Sequence, residues 1–164
     1  MFSLISQYFV ITNHLSAGEH VRNVIGKCAQ SLRALKLLRY HGMSDDSLRH
    51  IYKAVTISKL LYASPAWWGF TSAADKQRLE TSKRRAVRLG LYTADDLTLS
   101  QLAADMDDNL FTNILNNPHR VLRKLLPDKT GHTYNLRARH HSFSLTLKTD
   151  CNNFMNRLLF KDIY

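Results

Sequence analysis

Cysteine is scarce. The 164 residues hold two, Cys28 and Cys151, with no Cys-x-x-Cys spacing. That excludes a disulfide framework and points to a reducing compartment. Three prolines and six glycines are too few for a low-complexity or collagenous chain. No apolar run reaches the roughly 18 residues that a bilayer-spanning helix needs. The N-terminal stretch over 1–15 carries no charge, and Ser3, Ser6, Gln7, Thr12 and Asn13 interrupt its apolar residues. It therefore has neither the basic start nor the apolar centre of a signal peptide. An intracellular protein is expected, with nucleus and cytoplasm equally open. Neither a Gly-x-Ser-x-Gly nor a Gly-x-x-x-x-Gly-Lys-Ser/Thr pattern occurs. Nucleophilic and nucleotide-hydrolysing chemistry thus have no support from motifs.

Positive charge is plentiful. Lys and Arg number 23 against 13 Asp and Glu, a net +10. Such an excess favours a polyanionic partner, although solubility alone accounts for some of it. The charge is unevenly placed: segments 19–59, 75–88 and 119–164 are basic, while 95–108 holds five acids and no base.

Periodicity gives a mainly α reading. Residues 2–12 are rich in β-branched and aromatic types and read as a strand without a visible partner. Ser16-Ala-Gly-Glu19 resembles a capping box. Val21, Val24, Ile25, Cys28, Leu32, Leu35 and Leu38 then mark one apolar helix face, ended by Gly42. A second helix is expected from Ser44-Asp45-Asp46, with Leu48, Ile51, Tyr52, Val55 and Tyr62 inward and Pro65 breaking it. A third runs from Ser72 to Gly90. A fourth spans about Ser100–Leu115, with Leu102, Met106, Leu110, Phe111, Ile114 and Leu115 inward. A fifth begins at Asn117-Pro118, carries Val121, Leu122, Leu125 and Leu126, and stops at Pro127. Phe143, Leu145 and Leu147 alternate as an extended segment, and Asp150 is placed to cap a last helix with Phe154, Leu158 and Leu159 on one side.

Chemical motifs are few. Tyr92-Thr-Ala-Asp95-Asp96 superficially resembles the paired aspartates of polymerase metal sites. Its Tyr and first Asp stand one residue too far apart, and it follows a helix-ending Gly90 rather than a strand. An acidic turn is the better reading. The eight histidines lack the close grouping of a zinc site. They are read as lying on a basic surface, and no metal or cofactor is expected. Cys28 is a buried hydrophobe in this reading, and Trp67-Trp68 is core rather than a base-stacking surface. The third helix is the best binding candidate: Lys76, Lys83, Arg84, Arg85 and Arg88 offer cations to phosphates. Arg137 and Arg139, with His140, His141 and nearby Tyr134, form a second basic patch suited to single strands or RNA.

Several segments together resemble the region after the catalytic palm in reverse transcriptases of non-LTR retrotransposons, LINE-like and of the jockey type. They are His20-Val21, Lys27-Cys28, Ser31-Leu32, Ala34-Leu35 and Leu38 before His41-Gly42, and above all Ser58-Lys-Leu-Leu-Tyr-Ala-Ser-Pro-Ala-Trp-Trp-Gly69. Arg84-Arg85-Ala86, Asn117-Pro-His119, Leu125-Leu-Pro127, Tyr134-Asn-Leu-Arg137 and Asn153-Phe-Met-Asn-Arg-Leu-Leu-Phe160 add to the match, which covers roughly residues 9–164.

The resemblance implies a thumb-like region that grips a template–primer duplex. It supplies no catalytic residue, because the family's paired aspartates match no position here. The expected organisation is a remnant palm-edge strand over 1–15, a three-helix thumb-like bundle over 16–92, an acidic linker and helical pair over 93–127, and a basic tail with a terminal helix over 128–164. The expected function is that of a truncated retrotransposon-derived fragment without polymerase activity. It would bind RNA or an RNA–DNA duplex without sequence preference, with no membrane partner. The alternative is a protein-association module, self-associating through the N-terminal strand, or a relic without function.

Overall fold

A computed structural model of the protein describes residues 16–93, 95–129, 141–144, 150 and 152–161. Their secondary structure is helical apart from one isolated antiparallel bridge between Lys129 and Phe143. The mainly α reading holds. The strand expected over 2–12, and Leu145 and Leu147 of the extended segment, lie outside the described residues. Those residues form two compact units, one holding 16–63 and 70–102, the other 64–69 and 103–161. This division differs from the linear boundaries expected at 92 and 127, since 64–69 groups with the C-terminal part.

The first unit is built on α1, Gly18–Tyr40. Val21, Val24, Cys28, Leu32 and Leu35 are buried along it as their spacing predicts. The capping box at its start does not form. Ala17 is fully buried and its N–H donates to the Phe70 carbonyl (3.4 Å), so the helix begins one residue late. The Ser16 hydroxyl then accepts from Gly18 N–H instead. At the other end Gly42 takes φ +88°, the left-handed turn that glycine enters without steric cost.

The second helix starts at Ser44, whose hydroxyl accepts the Ser47 N–H, and comprises α2 (Asp45–Ile51), a π-helical stretch (Tyr52–Ile57) and α3 (Ser58–Leu61). The π turn corrects the expected buried stripe. In a regular α-helix, residues four apart drift by about 40° per step. The wider π turn absorbs that drift, so Leu48, Tyr52, Thr56 and Leu60 are all buried at four-residue spacing, while Val55 and Tyr62 are exposed. Nor does Pro65 break this helix. The chain has already left it at Ala63 (φ +51°), and Pro65 lies in the first turn of α4, Ser64–Trp67.

The third helix is α5, Ala73–Arg88. It is capped by Ser72, whose hydroxyl accepts Asp75 N–H (3.1 Å), and is followed by Gly90 at φ +68°. It runs parallel to α1: Asp75 lies against Gly18 at one end, and Arg39 Nη1 donates to the Leu89 carbonyl (2.8 Å) at the other. Leu32, Leu35, Leu48, Tyr52, Ala86, Leu91 and Tyr92 form the shared core.

In the second unit Trp67 and Trp68 are both buried, with ring centroids 5.5 Å apart, as the core reading expects. A β-carbon at Gly69 would collide with the Asn152 carbonyl, so only glycine permits that approach. Helix α6, Leu99–Asn116, buries Ala103, Phe111 and Ile114. Met106, expected inward, is exposed, while Asp107 is buried and pairs with Arg157 (3.0 Å) on α7, Phe154–Leu159. Asp108 pairs with Lys161 one turn farther on. Asn153, not Asp150, caps α7 by accepting Met155 N–H. The helix expected from Asn117 is a short 3₁₀ turn, Val121–Leu125, with Val121 78% exposed. Its Arg123 folds back onto the Ile114 and Leu115 carbonyls and so caps the C-terminal end of α6.

Candidate nucleic-acid interface

Helix α5 places its charges by the same periodicity that builds its core face. Leu79, Ser82, Lys83 and Ala86 recur at three- and four-residue steps and are buried. Residues offset from that stripe must face outward. Arg84, Arg85 and Arg88 do so and are exposed. Arg84 and Arg88 are one turn apart, and Arg85 and Arg88 three residues apart, so the three guanidinium groups share a face. Among the described residues none of the three is hydrogen-bonded or ion-paired. Asp75 and Glu80, the acids of this helix, are engaged elsewhere: Asp75 with Arg78, and Glu80 with the Leu99 N–H.

The two lysines expected beside these arginines stand differently. Lys83 is only 6% exposed. Its ammonium donates to the Leu97 and Asp96 carbonyls (2.8 and 3.2 Å) and sits 5.0 Å from the centroid of the Tyr92 ring. It cannot meet a phosphate in this arrangement and is a structural strut. The sequence carried the warning: Lys83 lies four residues after Leu79 and three before Ala86, on the buried stripe. Lys76 is half-buried and does not stand free. Arg137 and Arg139 lie outside the described residues, as do His140 and Tyr134.

The acidic turn after α5 is held by its own side chains. Asp96 accepts from the Thr93 N–H (3.1 Å) and hydroxyl (2.7 Å) and from Lys53 Nζ (3.2 Å). The Thr93 hydroxyl leads in holding its carboxyl below the usual carboxylate range, with help from Lys53. Tyr92 is buried, with Lys53 on its ring as well as Lys83, and burial raises its phenol above the ordinary value. Asp96 thus stitches a loop to the helix behind it, and Asp95 is exposed beside it.

The remaining candidate groups are structural. Burial pushes the Cys28 thiol up to about 11 and leaves it a poor nucleophile. Two histidines depart from the expected basic surface. His20 is buried in α1 and its pKa is lowered, first by burial and then by Lys27. His141 is half-buried between Phe111 and Phe143; it accepts the Phe143 N–H at Nδ1, and its Nε2 meets the Leu159 carbonyl (3.0 Å). Among the described residues no three His, Cys, Asp or Glu side chains are grouped to hold a metal ion, and no helix is long and apolar enough to cross a membrane.

No protein-family model, curated protein or solved structure matches the chain.

Proposed function

We propose that the chain binds RNA or an RNA–DNA duplex without sequence preference, through the outward face of α5. In this reading it is the thumb-like, post-palm region of a protein related to non-LTR retrotransposon reverse transcriptases, and it contributes grip rather than polymerisation chemistry. One observation carries the proposal: three exposed guanidinium groups, unpaired among the described residues, share one face of a helix whose other side is locked into the core. Arginine suits this task because its planar fork matches phosphate oxygens. Each phosphate neutralised releases condensed counterions, so affinity falls as salt rises. Phosphates carry no base information, which makes the binding sequence-independent. Asp95 and Asp96 have no part in it, since Asp96 is already committed to Thr93 and Lys53.

The test is filter binding of an RNA–DNA duplex to the wild type and to the triple variant Arg84→Ala, Arg85→Ala, Arg88→Ala. A weakened triple variant supports the assignment, and an unchanged affinity overturns it.

A further inference from the structure

The outward face of α1 carries a second pattern. Arg33, Lys36, Leu37 and Tyr40 fall at the i, i+3, i+4 and i+7 positions of one face, which turns away from the buried Leu35. Tyr40 is 85% exposed and Leu37 58%. Arg33 and Lys36 are exposed and make no hydrogen bond or ion pair among the described residues. Residues 20–44 contain no Asp or Glu, so no carboxylate on this part of the helix offsets them.

The end of the helix is also tied to its surroundings. Arg39 is tied to Asp45 (2.9 Å) and to the Leu89 carbonyl, and the His41 ring meets Tyr40 near a right angle (5.6 Å between centroids, 79°). A lone exposed tyrosine would call for no explanation. Here the ring follows a residue anchored to Asp45 and Leu89 and stands one turn from Lys36, an exposed cation with no ion pair among the described residues.

We infer that this stripe is a platform for single-stranded nucleic acid: an unpaired base stacks on the Tyr40 ring, Leu37 extends the apolar floor, and Lys36 and Arg33 hold the flanking phosphates. Any base offers a π-face, so an aromatic ring beside cations reads single strands without sequence preference. A paired base in a duplex has no free face to offer, so the platform distinguishes single strand from duplex where α5 does not. The inference rests on the nucleic-acid reading of α5 and adds to it a preference for unpaired nucleotides next to the duplex.

The experiment is a fluorescence-anisotropy titration of a labelled single-stranded oligonucleotide and a labelled RNA–DNA duplex. The proteins are the wild type, Tyr40→Ala, Tyr40→Phe and the α5 triple variant. Tyr40→Ala is expected to weaken single-strand binding by roughly 5- to 150-fold. Duplex binding should stay within about twofold, and Tyr40→Phe, which keeps the ring, should restore the single-strand affinity. Unchanged single-strand binding by Tyr40→Ala, with duplex binding intact, overturns the platform and leaves α5 standing. An equal loss on both ligands also overturns it, because the ring would not be selecting unpaired bases. A wild type that binds neither ligand removes the α5 reading and the platform together. Competition by polyglutamate as strong as by single-stranded RNA of equal charge overturns it in favour of an acidic protein partner.

Discussion

Lys83 and Arg84 are neighbours of similar charge with opposite surroundings. The lysine amine is buried against two carbonyls and a phenol ring, and the guanidinium beside it is exposed. Replacing Lys83 by Met keeps the hydrocarbon volume but leaves the Asp96 and Leu97 carbonyls without their donor. Lys83→Met is therefore expected to lower unfolding stability by about 1–3 kcal/mol, with nucleic-acid affinity unchanged. Arg84→Ala should do the reverse, moving stability by less than about 0.5 kcal/mol and weakening binding. Urea denaturation alongside filter binding separates the two.

Two aspartates make a second residue-scale contrast. Asp96 is held below the ordinary carboxylate value, chiefly by the Thr93 hydroxyl. Its contribution to stability is present above that ordinary value and is lost as pH falls through the lowered one. Asp107 is raised, chiefly by burial, with Arg157 opposing. Its contribution is present below the ordinary value and is lost as pH rises through the raised one. Carboxyl NMR titration should place the Asp96 midpoint below that of an exposed aspartate and the Asp107 midpoint above it. The opposite order would mean that the Thr93 turn and the Asp107–Arg157 burial are wrongly described.

At the scale of elements, the π turn is the informative feature. It brings Thr56 into the stripe of Leu48, Tyr52 and Leu60, where its hydroxyl is buried with no hydrogen-bond partner. The Thr56 carbonyl, by contrast, receives the Cys28 thiol (4.0 Å). Thr56→Val keeps the shape and removes an uncompensated polar atom, so thermal unfolding should show a gain of about 1 kcal/mol. A loss would reveal a hydroxyl partner and a different local packing.

This turn also shows where sequence periodicity stops being informative. Helices α1 and α5 were legible because their apolar stripes obey one period and their flanking Ser72, Gly42 and Gly90 act locally. The phase after Tyr52 was not, because nothing in Lys53-Ala54-Val55-Thr56 signals a widened turn before it packs. The segment after Pro118 misled for a different reason: four apolar residues suggest a helix, but Arg123 turns back to cap α6 and leaves Val121 and Leu125 exposed. Among the candidate site residues the three arginines could be read from spacing. The strut role of Lys83 depended on a loop more than ten residues away, beyond the reach of helical periodicity.

At the scale of the whole molecule, the uneven charge acquires a structural meaning. Much of the acidic stretch over 95–108 is used internally: Asp96 holds Lys53, Asp107 holds Arg157 and Asp108 holds Lys161. Arg33 and Lys36 on α1 and Arg84, Arg85 and Arg88 on α5 are exposed and left without such partners among the described residues, and a net charge of +10 favours attraction of a polyanion over distance. The most direct measurement is the salt dependence of RNA–DNA duplex binding from about 50 to 200 mM salt, for the wild type and the Arg84, Arg85, Arg88 triple alanine variant. If each arginine neutralises one phosphate, the slope of log affinity against log salt should become shallower by about 2–3 in the variant. Two parallel lines, equal in slope and affinity, would contradict the assignment of α5.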